Sequence, residues 1–105
     1  MRNHFVNVMI GRVDRLRGLA DELIRLQGPS DGVRQRIAAL REWSNALRRA
    51  ESDEGVVGVF REKIARMEAR VTDLLGHYDA GKYSIAAALL QSWAEEEEEV
   101  AGHGN

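Results

Sequence analysis

Val57, Phe60, Ile64, Met67, Val71, Leu74 and Tyr78 follow one another at intervals of 3, 4, 3, 4, 3 and 4 residues. Strands place alternate residues on one face, so this spacing gathers seven large apolar side chains into one stripe only on an α-helix. The flanking positions Arg61, Lys63, Glu68 and Arg70 are charged, as a helix buried along a narrow seam requires. The stretch therefore predicts a central helix, over about residues 54–76, on which the rest of the chain packs.

Three further helices are expected around it. The first spans about residues 3–27, with Asn3 as N-cap and Gly28-Pro29 as the stop, because glycine readily takes the left-handed conformation that closes a helix and proline cannot continue one. Its seam is Val6, Met9, Val13, Leu16, Ala20 and Leu23, widened by Phe5, Leu19 and Leu26 on one shoulder and by Ile10 and Ile24 on the other. A stripe this wide should touch more than one neighbour. Gly28-Pro29-Ser30-Asp31-Gly32 reads as a tight turn, with Ser30 or Asp31 capping a second helix over about residues 31–51. That helix carries Val33, Ile37, Leu40, Ser44 and Leu47 on its core face, with Trp43 and Ala50 beside them. Ser52 or Asp53 would cap the central helix. A competing reading continues the same spacing back through Leu40, Trp43, Leu47, Ala50, Glu54 and Val57, giving one rod over residues 33–76 that would force dimerisation. Gly76 to Ser84 forms the next turn, and a fourth helix follows over about residues 85–98, with Ile85, Ala86, Leu89, Leu90, Trp93 and Ala94 on its apolar face.

The predicted fold class is thus all-α: an antiparallel bundle of about four helices with coiled-coil-like seams, completed by dimerisation. One domain over residues 1–100 and a disordered tail at 101–105 follow from the length and the closing Ala-Gly-His-Gly-Asn. The longest apolar runs are only a few residues, and the opening lacks the layout of a signal peptide. A cytoplasmic protein with no membrane segment is expected. The absence of cysteine excludes disulfides, thiolate chemistry and cysteine-type zinc sites. Charge is uneven: residues 1–50 carry +5 and residues 51–105 carry −7, much of the latter in the run Glu95 to Glu99. Five like charges at a helix C-terminus oppose the macrodipole, so a frayed, solvated end is expected there.

Candidate chemistry is sparse. His4, His77 and His103 fall at a helix start, a helix end and the tail, and no pair has the four-residue spacing that sets two metal ligands on one helical face. No glycine-rich phosphate loop or Ser-His-Asp set can be assembled. Tyr78-x-x-Gly81-x-Tyr83-x-x-Ala86 resembles the turn between the helices of a tetratricopeptide repeat. Its first spacing is one residue short and no second copy occurs, so it reads as a helix-turn-helix corner with the Tyr rings packed over the turn. No catalytic residue, cofactor or metal is expected.

What remains is apolar surface. A first helix of about 37 Å faces a fourth of about 20 Å, and the excess asks for cover. The expected function is a non-enzymatic protein-binding module, an adaptor, small chaperone-like binder or inhibitor, that buries an apolar helix face against a second copy of itself and against a larger protein. Trp43, Leu90 and Trp93 are the anchors if they are exposed, with core packing as the plainer account of them. Gly11 and Gly18, one heptad apart and opposite the seam of the first helix, mark a groove where a partner backbone would approach closely. The alternative is a nucleic-acid-associated regulator using Arg34, Arg41, Arg48 and Arg49 of the second helix, against which the acidic pI near 5.9 counts.

Overall fold

The computed structural model describes residues 4–103, and the side chains of residues 11–100. Among them all regular structure is helical: α1 (His4–Leu26), α2 (Asp31–Ala38), α3 (Arg41–Glu54), α4 (Arg61–Asp79) and α5 (Tyr83–His103). The proposed cap at Asn3 and the side chains of Phe5, Val6, Met9 and Ile10 lie outside the described residues.

In α1, Val13, Leu16, Leu19, Ala20 and Leu23 are buried, while Ile24 and Leu26 remain exposed. The left-handed residue that ends this helix is Gln27, at φ 51°, and not Gly28. Gly28 precedes proline, which drives it toward extended backbone, so the reversal falls one residue earlier. The Gln27 side-chain amide donates to Ile24 O at 2.9 Å and so satisfies one of the last carbonyls of the helix.

Ser30 caps α2 as expected, its hydroxyl accepting from Val33 N at 3.4 Å. The buried Tyr78 hydroxyl accepts from Ser30 N and donates to Ser30 O, tying this cap to the end of α4. The expected second helix is interrupted. After Ala38 the chain tightens, with Leu40 N bonding Ile37 O, Glu42 N bonding Ala39 O and Trp43 N bonding Leu40 O, each at 3.0–3.1 Å and three residues apart. No glycine or proline stands here, so packing sets the break: α2 lies on both α1 and the C-terminal end of α4, whereas α3 follows the N-terminal half of α4. Val33, Ile37, Leu40 and Ser44 are nonetheless buried, as the spacing predicts.

The rod over residues 33–76 does not form. Gly55 ends α3 at φ 71°, with Gly55 N bonding Ser52 O and Val56 N bonding Glu51 O, and Gly58 follows at φ 95°. Two left-handed residues within one turn cannot be helical, so α4 starts at Arg61 and the stripe loses Val57 and Phe60. From Ile64 onward the stripe holds: Ile64, Met67, Val71, Leu74 and Tyr78 are buried, joined by Leu75. The helix runs through Gly76 and stops at Asp79, before Gly81 at φ 77°.

In α5 the buried face is Ala86, Ala87, Leu90, Trp93, Ala94 and Glu97, and the expected core residues Ile85 and Leu89 are exposed. The face is turned toward two neighbours. Arg17 pairs with Glu98 across to α1, and Arg70 pairs with Glu96 across to α4, so α5 runs antiparallel to both. Alanines at 20, 86, 87 and 94 keep side chains small in the buried core. The helix continues to His103, past the expected end near residue 98. The acidic run is held rather than frayed, because Glu96, Glu97 and Glu98 each meet a different partner.

Candidate interaction surfaces

Trp43 and Trp93 come together from α3 and α5, their ring centroids 5.4 Å apart in an edge-to-face arrangement. Trp43 is half-buried, with the guanidinium carbons of Arg12 and Arg15 at 5.0 and 6.0 Å from its ring. Trp93 is only 3% exposed, and Arg70 stands 5.4 Å from its ring. Its indole N–H donates to Glu97 Oε1 at 3.2 Å. Burial holds the Arg12 guanidinium below its ordinary range, partly offset by the charge of Glu97. The expected anchors therefore divide: Leu90 and Trp93 belong to the core, and Trp43 alone of the three is half-exposed, packed against it. Edge-to-face packing on Trp93 is what draws Trp43 inward.

Gly11 and Gly18 are exposed on α1, and a Cβ built at either meets nothing within 4 Å. Among the described residues, no backbone from another element comes within 4 Å of such a Cβ. The arginines of the expected second helix do not form one face, because that helix is broken between α2 and α3. Arg34 makes a two-pronged bond to Asp79, at 2.8 and 2.9 Å. That bond raises the Arg34 pKa and lowers that of Asp79. Arg48 pairs with Glu68, and Arg41 and Arg49 are exposed. His77 is half-buried in the last turn of α4. Among the described residues no three His, Asp or Glu side chains are grouped to hold a metal, and no helix is long and apolar enough to cross a membrane.

The corner between α3 and α4 is the feature that periodicity concealed. Val56, Val57 and Val59 are 41%, 81% and 66% exposed, beside a groove of about 490 Å³ whose apolar lining is Val57, Ile64 and Ala65. The corner is fixed in place from beneath. Buried Glu51 accepts the Phe60 backbone N–H at 2.6 Å, placing a carboxylate at the N-terminus of α4, where the helix dipole favours it. Glu51 and Glu97 escaped sequence reasoning. For Glu97 a signal existed, an acid four residues beyond a tryptophan on a buried stripe; Glu51 had none. Compared with family models, curated proteins and solved structures, the chain finds no match.

Proposed function

We propose that this is a non-enzymatic protein-binding module that buries an apolar surface against a second copy of itself and against a larger protein partner. One observation carries the reading: three valines stand exposed within four residues, next to the groove of α3 and α4. Burying an exposed valine is worth about 1.5–3 kcal/mol, so three of them favour association by several kcal/mol before its entropic cost. Knob and groove adjoin on one corner, which allows a two-fold arrangement where each copy fills the other. Charged neighbours Arg48, Glu51, Arg61 and Glu68 would set the register. The nucleic-acid alternative draws less support, since two of its four arginines are engaged by carboxylates.

The test is a Val57→Asp/Val59→Asp variant, followed by light scattering at micromolar concentration and by affinity capture from the native cell. Both side chains are exposed, so the melting temperature should hold while self-association and captured protein are lost. A wild-type chain that is monomeric and captures nothing would overturn the proposal.

A further inference from the structure

A furrow runs between α4 and α5 on the flank of α4 opposite the valine corner. The corner groove is lined from α4 by Arg61, Ala65 and Glu68, the furrow by Lys63, Arg66, Arg70 and Asp73, and helical spacing sets the two groups on different sides of the helix. The α5 wall is one ridge of that helix, Leu89, Ser92, Glu96 and Val100, continued by Ile85 at the same spacing of three or four residues. Ile85, Leu89 and Val100 are 45%, 38% and 43% exposed, so the ridge leaves apolar surface uncovered along its length.

The furrow holds two clefts. One of about 180 Å³ lies beside Leu89 and Ser92, with Leu74 in its lining, and one of about 120 Å³ beside Glu96 and Val100, with Met67 in its lining. Each has room for one aliphatic side chain, since a cavity of about 150 Å³ accommodates benzene. From Leu89 to Glu96, or from Ser92 to Val100, is about 11 Å along the helix. Two turns of an α-helix cover the same distance, so a helix laid along the furrow sets side chains i and i+7 into the two clefts.

Charge adds a direction. Beside the Val100 cleft, Lys63 and Arg66 have no ion-pair partner among the described residues, whereas Glu96 is taken by Arg70. Beside the Leu89 cleft stands Asp73, also without an ion pair among them. Such charges select register and orientation more than they add affinity. A second copy of this chain does not match: among the described side chains, no two exposed large apolar residues on one helix stand seven apart.

We propose that the furrow docks an amphipathic helix of another protein, with apolar residues one heptad apart, acidic side chains beside the first and a basic one beside the second. The acids lie on Lys63 and Arg66, the base on Asp73. This surface goes beyond the valine corner and does not depend on it.

Full-length protein is titrated with two alanine-based helical peptides of about four turns, both with leucines at i and i+7. One carries glutamates beside the first leucine and lysine beside the second; in the other, lysine replaces the glutamates. The first should saturate with Kd of about 100 μM, moving amide signals along α4 and α5, and the all-lysine peptide should bind at least about tenfold more weakly. Lys63→Glu/Arg66→Glu should reverse that preference. Leu89→Asp/Val100→Asp, checked for folding by circular dichroism, should abolish binding of both. A complex of this strength lasts well under about one second and is not retained in affinity capture. Val57→Asp/Val59→Asp should therefore lose captured protein yet bind the peptide unchanged, which separates a failure of the furrow from a failure of the corner. No saturation by either peptide up to about 1 mM, equal affinity for the two, or unchanged binding in the Leu89/Val100 variant would overturn the proposal. So would shifts of the same amides with protein concentration alone, which assign the furrow to a second copy.

Discussion

Replacing Trp93 with alanine tests whether this residue holds the bundle together or serves a partner. At 3% exposure nearly the whole ring is buried, and truncating a buried Trp costs about 3–5 kcal/mol through lost transfer energy and the cavity left behind. The edge-to-face contact with Trp43 goes with it. Glu97 Oε1 also loses its donor, leaving that oxygen of a buried carboxylate without the indole N–H at a further cost of about 1–3 kcal/mol. The total, about 4–8 kcal/mol, rivals the whole stability of an ordinary domain, about 5–15 kcal/mol. At about 4–8 °C per kcal/mol for a chain of this size, Trp93→Ala should lower the melting temperature by at least about 15 °C or prevent folding. Trp93→Phe keeps a six-membered ring but loses the N–H and part of the buried ring volume, so it should cost less than Trp93→Ala, about 2–4 kcal/mol. Thermal and urea unfolding followed at 222 nm, a signal from α-helix, compare the three proteins. If Trp93→Ala melted within about 4 °C of wild type, a shift worth no more than about 1 kcal/mol, the core assignment would be refuted.

Two more consequences follow from side-chain environments. Gly11→Ala/Gly18→Ala should raise stability by about 1–2 kcal/mol, since each helical glycine costs about 0.5–1 kcal/mol relative to alanine and the added Cβ meets nothing within 4 Å. A double variant that melts below wild type would show that these positions are closely approached in the native protein. For the clasp between α2 and α4, Arg34 depresses the Asp79 pKa, so its contribution is present above the ordinary carboxylate value of about 3.9 and fades as pH falls through the lower folded value. An NMR titration should place the Asp79 midpoint below about 3.9 and return it there in Arg34→Ala; an unshifted midpoint in wild type would contradict the pairing.

Apolar periodicity was enough to read the helical class and most of the core, because burial follows helical spacing directly. Val13, Leu16, Ala20, Leu23, Val33, Ile37, Leu40 and the stripe from Ile64 to Tyr78 are all buried where the spacing places them. Where the chain changes direction was less legible. The break between α2 and α3 has no glycine or proline to announce it, and depends on surfaces supplied by α1 and α4, far away in sequence. Polar burial was similarly hidden. Glu51 and Glu97 sit inside because a backbone N–H and an indole N–H await them, and such pairings belong to the assembled fold. The acidic run, read as a charged tail, is instead a set of stitches: Glu96 reaches α4, Glu98 reaches α1 and Glu97 turns inward.

The valine corner shows how a local conflict between two signals leads to a functional proposal. Spacing alone counts Val57 and Phe60 as the first two members of the central seam, while Gly55 and Gly58 demand backbone angles that no helix contains. Backbone geometry prevails, because a left-handed residue breaks the hydrogen-bond ladder whatever its neighbours would gain by burial. Glu51 then holds the resulting loop against α4 through the Phe60 N–H, so the valines cannot simply fold back into the core. Apolar residues in register with a seam, yet fixed outside it, are costly for an isolated chain. That cost is offset if a second surface completes the seam, and the groove beside Val57, with Ile64 on its wall, offers that surface on the same corner.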